Sequence, residues 1–479
     1  MGCGINREKY LVCLLLVLFT LVFWGLENAN AAKIEPVNDI QRNSMMRKKI
    51  FKKVFETPFI DTHEHLMDEK ERLSGKHEFI LVDDWSTLFY HYTQSDLISS
   101  GMPIEIFCEF FSPKVDPDKK WDFLKPYWPR IRNTGYGQAI RITIKELYGI
   151  DDLTEKTVKT LQDSYVKARQ PGLYKRVLDM ANIESCQVDY ILVPFKESSM
   201  PDRLMQDIDI TKMFEGPDFD KVGKPTGIKV QSLEDWHKVI DWWFEKYGKY
   251  AVAAKSSNAY SREIDYQRVS ADKVNDIFIK KLQDQPLSPA EKKALEDHLF
   301  WYAVDKAADC NLPVKIHTGY YALHNQLPLK RISQNPAHAE EMCQAAKKNT
   351  KFIFMHIGYP YYEEMIALAK NNEKAYIDMC WSWIINPIAA KDFLKKYLVS
   401  APSNKILTFG GDYSYVELVL GHSMLARRGI ALALSELVEE GWLDIDEAMV
   451  LVDVIMHQNA RNIFNLDKKQ ELLKTVPWK

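Results

Sequence analysis

The sequence predicts an α/β chain folded as a (β/α)8 TIM barrel, with a helical insertion between its first and second strands. Four observations carry that prediction. Eight short runs rich in apolar and β-branched residues recur along the chain. From about residue 185 onward they alternate with helical patterns of ten to twenty residues, the mark of repeated βα units. The interval between the first and second runs, Asp68 to Ser185, is far longer than an ordinary βα connection and must hold structure of its own. Residue types that bind metals stand at the ends of several runs, where a barrel of this kind gathers its reactive groups.

The runs are "PFIDTH" (58–63), "SCQVDYILVP" (185–194), "LMQDIDI" (204–210), "YAVAAKSS" (250–257), "PVKIHTG" (313–319), "KFIFMHIG" (351–358), "KAYIDMCW" (374–381) and "KILTFGGD" (405–412). The third has the weakest strand pattern. A chain of 479 residues divides naturally into two or three domains, but α/β barrels use roughly 250 residues or more as one unit. Residues 45–470 are therefore read as a single barrel with its insertion at about 86–182. Within that insertion "AIRITIKELYGI" and "TEKTVKTLQDSYVKA" have helical apolar spacing, and "PGLYKRVLDMANI" places Pro171 near a helix start. The aromatics of "KPYWPRIRNTGY" serve to pack it against the barrel. There is no internal repeat beyond the βα alternation and no low-complexity linker.

Composition excludes several classes. Hydrophobic content of 46% and charged content of 27% suit a globular chain with a large core rather than a disordered one. Net charge is −3 with both signs dispersed, so there is no basic field for nucleic acid, and the default partner is a small molecule. Oligomeric state is not legible, and a homo-oligomer stays open.

The first residues differ. Arg7 and Lys9 precede "YLVCLLLVLFTLVFWGL" (10–26) and then "ANAA" (29–32), an n-region, h-region and small-residue cleavage site. Residues 1–31 are read as a signal peptide cut after Ala31, exporting the protein to a periplasm or the medium, with no membrane contact after cleavage. An uncleaved membrane anchor is the alternative, since the run approaches the length of a bilayer crossing. Asn6 stands where a myristoylation signal needs Ser or Thr. Beyond the leader, Cys108, Cys186, Cys310, Cys343 and Cys380 are odd in number and widely spaced, so they read as small core residues rather than disulfides or a zinc CxxC.

The chemistry-bearing residues begin with "FIDTHEHL". Alternate residues of a strand share a face, so His63 and His65 point the same way and can grip one ion. Alone they could as well be a hydrogen-bonded polar pair. His317, His356 and Asp412 recur at other strand ends, and three strands bearing histidine plus a terminal aspartate are hard to assign to packing, because unpaired buried polar groups destabilise. Nitrogen with carboxylate oxygen suits zinc, and also manganese, iron or nickel. Such an ion brings the pKa of water toward neutrality.

In "DTHEHL", "KIHTGYY", "FMHIGYP", "YIDMCW", "FGGDYSYVE" and the closing "HQNARNIFNL", in that order, the chain resembles the amidohydrolase superfamily, and more closely its amidohydrolase-2 branch of TIM-barrel metal-dependent hydrolases. The likeness runs from about residue 45 to 470. It implies that His63, His65, His317 and Asp412 surround a divalent metal, zinc foremost. His356 would be a second-metal ligand or a hydrogen donor to substrate or water, and Asp412 would take the proton of the attacking water. Lys255, in "AVAAKSSNAY", stands where two-metal members carry a lysine carboxylated by carbon dioxide; the plainer alternative is a lysine paired with a carboxylate. One or two ions are both open.

Tyr260, Arg262, Tyr320, Tyr321, Tyr359, Trp381 and Glu417 are candidates to hold substrate. Arg262 could fork onto a carboxylate or sit in a structural ion pair, and the aromatics could wall a pocket or only pack its rim. His324 and His422 are treated as bystanders. The expected activity is metal-dependent hydrolysis of an amide, ester or lactone. The same superfamily keeps a nonoxidative decarboxylase and a uronate-isomerase-like enzyme as alternatives, the latter encouraged by the long insertion; a non-catalytic binding protein is the rival from another class.

Overall fold

The computed structural model describes residues 36–75, 82–215, 217–322 and 327–478. The leader lies outside them, as does His324. The described residues from Ile50 onward form one compact unit, which holds the fold. No helix among the described residues is long and apolar enough to cross a membrane.

The strands are β1 (Phe59–Glu64), β2 (Ile183–Val188), β3 (Leu204–Gln206), β4 (Ile208–Asp209), β5 (Ala254–Ser256), β6 (Val314–Ile316), β7 (Phe352–Phe354), β8 (Ala375–Asp378) and β9 (Ile406–Leu407). They form two wholly parallel sheets, ordered β1-β2-β3 and β4-β5-β6-β7-β8-β9. Each predicted run contributes one strand, except that the third contributes two. There "LMQDID" turns from one neighbour to the next: Asp207 N donates to Val188 O at 2.9 Å and Ile208 N to Ala253 O at 2.9 Å. At the other edge the segment after β9 bonds back to β1, with Thr62 N donating to Phe409 O at 3.0 Å, Asp412 N to His63 O at 2.8 Å and His65 N to Tyr413 O at 3.0 Å.

Helix α1 (Pro36–Glu56) enters β1 directly. Between β1 and β2 the described insertion is helical, its longer elements being α2 (Gly135–Tyr148), α3 (Val158–Ala168) and α4 (Leu173–Met180). Helix α2 opens where Thr134 Oγ1 accepts from Gly137 N at 3.2 Å and closes on Gly149 at φ 71°, a left-handed position that glycine takes without strain. It packs on α7 (Val416–Glu439), to be reached below, closely enough that a Cβ on Gly421 would lie 2.0 Å from Ala139 O. The next helices, α5 (Leu233–Tyr247) and α6 (Pro289–Asp309), follow β4 and β5. Helix α6 starts on a reciprocal capping box: Ser288 Oγ accepts from Glu291 N at 3.2 Å while Ser288 N donates to Glu291 Oε2 at 2.9 Å.

Two buried polar ties organise the core. Arg427 on α7 donates to Val54 O, Thr57 O, Ala181 O and Asn182 O, so one guanidinium collects carbonyls at the C-terminal ends of α1 and α4. Inside the strands, Lys315 Nζ lies 2.7 Å from both Asp207 Oδ2 and Thr62 O, fully out of solvent. Apolar residues of alternate strands, Ile60, Met205, Ile353 and Leu407, meet Ile463 and Phe464 of the C-terminal segment.

That segment is pinned to β2 by Glu184, which receives His457 Nε2 at 2.6 Å, Gln470 Nε2 at 3.0 Å and Arg461. The His457 contact leads in holding its carboxyl down to about 2 against an ordinary 4.5. A depressed acid contributes stability that is complete above its unfolded pKa and is lost as pH falls through the folded one. Acid titration should therefore remove about 1–2 kcal/mol between pH 4.5 and 2, after allowing for solvent screening of a half-buried group. In Glu184→Gln that component of the melting-temperature profile should vanish; an unchanged profile would contradict the assignment.

Candidate metal centre

Every strand-end residue singled out above falls at the C-terminal side of the sheets. His63 lies in β1 with His65 just beyond it, Lys255 in β5, His317 one residue past β6, His356 two past β7 and Asp412 five past β9. Three of the residues there hold left-handed backbone, His356 at φ 62°, Trp381 at φ 65° and Asp412 at φ 62°. Such conformations strain a residue with a side chain and persist where the surroundings over-determine them.

His63 Nε2 lies 3.1 Å and His65 Nε2 3.3 Å from the same oxygen, Oδ1 of Asp412. His65 Nδ1 donates to Asp189 O at 2.9 Å, which fixes its tautomer and leaves Nε2 as the lone-pair nitrogen. His317 Nε2 donates to Tyr320 O at 2.9 Å and His356 Nδ1 to Cys380 O at 3.0 Å, so their remaining nitrogens, His317 Nδ1 and His356 Nε2, face each other at 3.0 Å. Two lone pairs at that distance repel unless a proton or a metal ion lies between them.

Burial makes the proton the poorer choice. It holds His63 and His317 well below the ordinary histidine value and brings His356 to about 4. Burial also resists ionisation of Asp412, but His63 and His65 outweigh it and keep the carboxyl well below its usual range. His65 is the exception among the rings: burial lowers it, yet the Asp412 and Asp189 carboxylates together leave it above the usual value. His63, His317 and His356 as neutral imidazoles beside an ionised Asp412 are in the protonation states a metal requires. Both His63 nitrogens and both Asp189 carboxylate oxygens are buried without a hydrogen-bond partner. Donor atoms of His63, His65 and Asp189, and of His356, Cys380 and Asp412, lie within 4.8 Å of one another in each group. The residues fit a metal ion.

Lys255 is buried, donating to Ser257 Oγ at 2.9 Å and standing 4.0 Å from Asp189 Oδ2. Tyr260 packs its ring 4.6 Å from that of His317 and stacks on Tyr321 at 4.5 Å. Trp381 meets the His356 ring edge-on at 5.4 Å and Tyr320 at 5.7 Å, and Tyr320 in turn meets Tyr359 at 5.9 Å. A cavity of about 730 Å³ opens beside His65 and Tyr260, lined also by His91, Asp209, Lys212 and Ser257; Tyr320, Tyr359 and Trp381 do not line it.

Two candidates are engaged elsewhere. Arg262 is held by Asp297 at 2.7 Å, Asp265 at 3.0 Å and Glu296 at 3.1 Å, so its fork is already filled. Glu417 forms a bidentate pair with Arg72 at 2.7 and 2.8 Å, in the core that joins the insertion to α7. His422 donates to Gly411 O at 3.1 Å and supports the loop carrying Asp412 from behind. All five described cysteines are free, but Cys108 is exposed, on the outer side of the short helix Ile104–Phe110, and Cys310 is half-buried, so neither is the core residue expected.

Sequence reasoning passed over Asp189, His91 and Cys380. Asp189 carried a usable signal, an acid directly after β2 in the position that His317 holds after β6. His91 sits at φ 40° with its ring 6.2 Å from His65, on an insertion loop with no strand register to betray it.

Residues 285–466 match the family described as amidohydrolase. The amidohydrolase likeness is thereby shown. The matched stretch carries His317, His356 and Asp412; His63, His65 and Lys255 lie before it. Solved structures extend the likeness at the level of fold. A glucuronate isomerase from Caulobacter crescentus is 15% identical with a TM-score of 0.71, covering 89% of this chain and 95% of its own. A uronate isomerase from Thermotoga maritima is 14% identical, TM-score 0.68, covering 88% and 97%. A protein from Lactobacillus casei assigned as a metal-dependent hydrolase is 15% identical, TM-score 0.62, covering 89% and 99%. No curated protein matches the chain.

Proposed function

We propose that this amidohydrolase-like chain is a metal-dependent hydrolase cleaving an amide, ester or lactone bond of a small molecule, within a closed (β/α)8 barrel. The convergence of His63 and His65 on one oxygen of an ionised, buried Asp412 carries the reading. His63, His65, Asp412 and the facing pair His317 and His356 would hold the metal, with zinc the best match to their nitrogen and oxygen donors. When bound, that ion supplies a Lewis acid and acidifies water.

The remaining chemistry belongs to the chain. Asp412 takes a proton from the attacking water and returns it to the leaving group. His356, or a carbamate on Lys255, completes the cluster. Tyr260 on one side and Tyr320, Tyr359 and Trp381 on the other form aromatic walls that orient the substrate and thin out water. Barrel closure is supported by the three hydrogen bonds that return from residues 409–413 to β1. The exported setting and small-molecule partner expected from the sequence belong to the same proposal.

A uronate-isomerase-like activity is the second reading, favoured by fold likeness to uronate isomerases over nearly nine-tenths of the chain. The decarboxylase reading needs a free arginine, and Arg262 is saturated. Metal-replete protein assayed on lactones, N-acyl amino acids, dipeptides, aromatic carboxylic acids and uronates separates the three. Metal-dependent hydrolysis is the expected result, and turnover confined to aldose–ketose exchange of uronates would overturn it. Lys255 is tested by the intact mass of its peptide. Gain of one carbon dioxide with two ions per chain is the two-metal outcome, and an unmodified lysine with one ion excludes it.

A further inference from the structure

We propose that Cys380 is a metal ligand, supplying a thiolate at the corner of the cluster formed by His356 and Asp412. The inference rests on the metal-dependent reading above and goes beyond it, because buried cysteines are ordinarily small hydrophobes. Three observations separate Cys380 from Cys186 and Cys343, which are equally buried. A donor atom of Cys380 lies within 4.8 Å of donors from both His356 and Asp412, an arrangement no other cysteine shares among the described residues. His356 donates its Nδ1 proton to Cys380 O, so the residue that orients the ring also brings its sulfur alongside. Gly410 makes room for that side chain: a Cβ there would lie 2.8 Å from both Cβ and Sγ of Cys380.

Charge balance points the same way. A dication held at that corner by neutral His317 and His356 would draw on the charge of Asp412, which is shared with His63 and His65. A thiolate at Cys380 would add a second negative charge at that corner. Binding the ion displaces the thiol proton, which leaves to solvent, so one additional proton is released per ion bound. A sulfur donor would also tilt the corner toward zinc and away from magnesium or manganese.

X-ray absorption at the zinc edge of the zinc-loaded full chain tests this without a variant. One sulfur scatterer at about 2.3 Å is expected beside nitrogen and oxygen at about 2.0–2.2 Å. Zinc bound stoichiometrically with only nitrogen and oxygen neighbours overturns the thiolate and leaves the metal-dependent reading standing; no bound zinc overturns both. Cobalt substitution then assigns the sulfur. The wild-type protein and Cys343→Ser should show a near-ultraviolet thiolate-to-cobalt band, and Cys380→Ser should lose it while binding metal roughly tenfold or more weakly. A band that survives in Cys380→Ser contradicts the proposal.

Discussion

Asp412→Asn is expected to lower kcat/KM by about 10²- to 10⁴-fold, the range for removing a positioned general base, and to weaken metal retention as well. Asparagine is the right replacement because it leaves the architecture alone. It tolerates the left-handed backbone at φ 62° as aspartate does. Backbone bonds from Asp412 N to His63 O and from Tyr92 OH to Asp412 O do not involve the side chain. What changes is charge: His63 and His65 lose the anion that both approach within 3.3 Å, and the proton acceptor is gone. Kinetics on a metal-saturated sample, paired with a thermal melt, read the two effects apart. A variant that melts like wild type and keeps more than a tenth of its kcat/KM would remove Asp412 from the chemistry.

The largest effect on stability should come from Lys315→Met. Lys315 and Asp207 form an ion pair with both side chains fully out of solvent. Breaking such a pair from one side strands the other charge and typically destabilises by about 3–5 kcal/mol, whereas replacing both partners by apolar groups is often neutral. Burial already lifts Asp207 to about 6 with the lysine present, so without it the carboxyl folds protonated. Denaturant unfolding should therefore show a large loss for Lys315→Met and recovery of most of it in Lys315→Met/Asp207→Leu. Equal destabilisation in the single and double variants would mean that packing, not charge, dominates the site.

Much of this architecture was written locally. Each of the eight runs holds a strand because β-branched and apolar residues cluster where a parallel strand is covered on both faces. The histidines stood out because polar residues ending such runs have few structural uses. The third run was weak because "LMQDID" carries two acids: Asp207 faces Lys315, and Asp209 borders the cavity, with burial raising its carboxyl to about 7.

Long-range pairing was the illegible part. Glu417 stands five residues after Asp412 and reads as a pocket residue, yet its partner Arg72 is 345 positions away. Arg262 meets two of its carboxylates more than thirty positions later. Cys380 reads as one more apolar residue in "YIDMCW", and only folding sets it beside His356 and Asp412. Charge pairing of this kind depends on which helix ends meet, which hydrophobic periodicity does not encode.

Elemental analysis of the full chain after exhaustive dialysis, compared with His63→Asn/His65→Asn, bears most directly on the central claim. The account predicts one or two equivalents of a divalent transition metal in the wild-type protein and a loss of at least one equivalent in the variant. Wild-type protein that folds and takes up no stoichiometric metal, even when supplied with zinc, would contradict it.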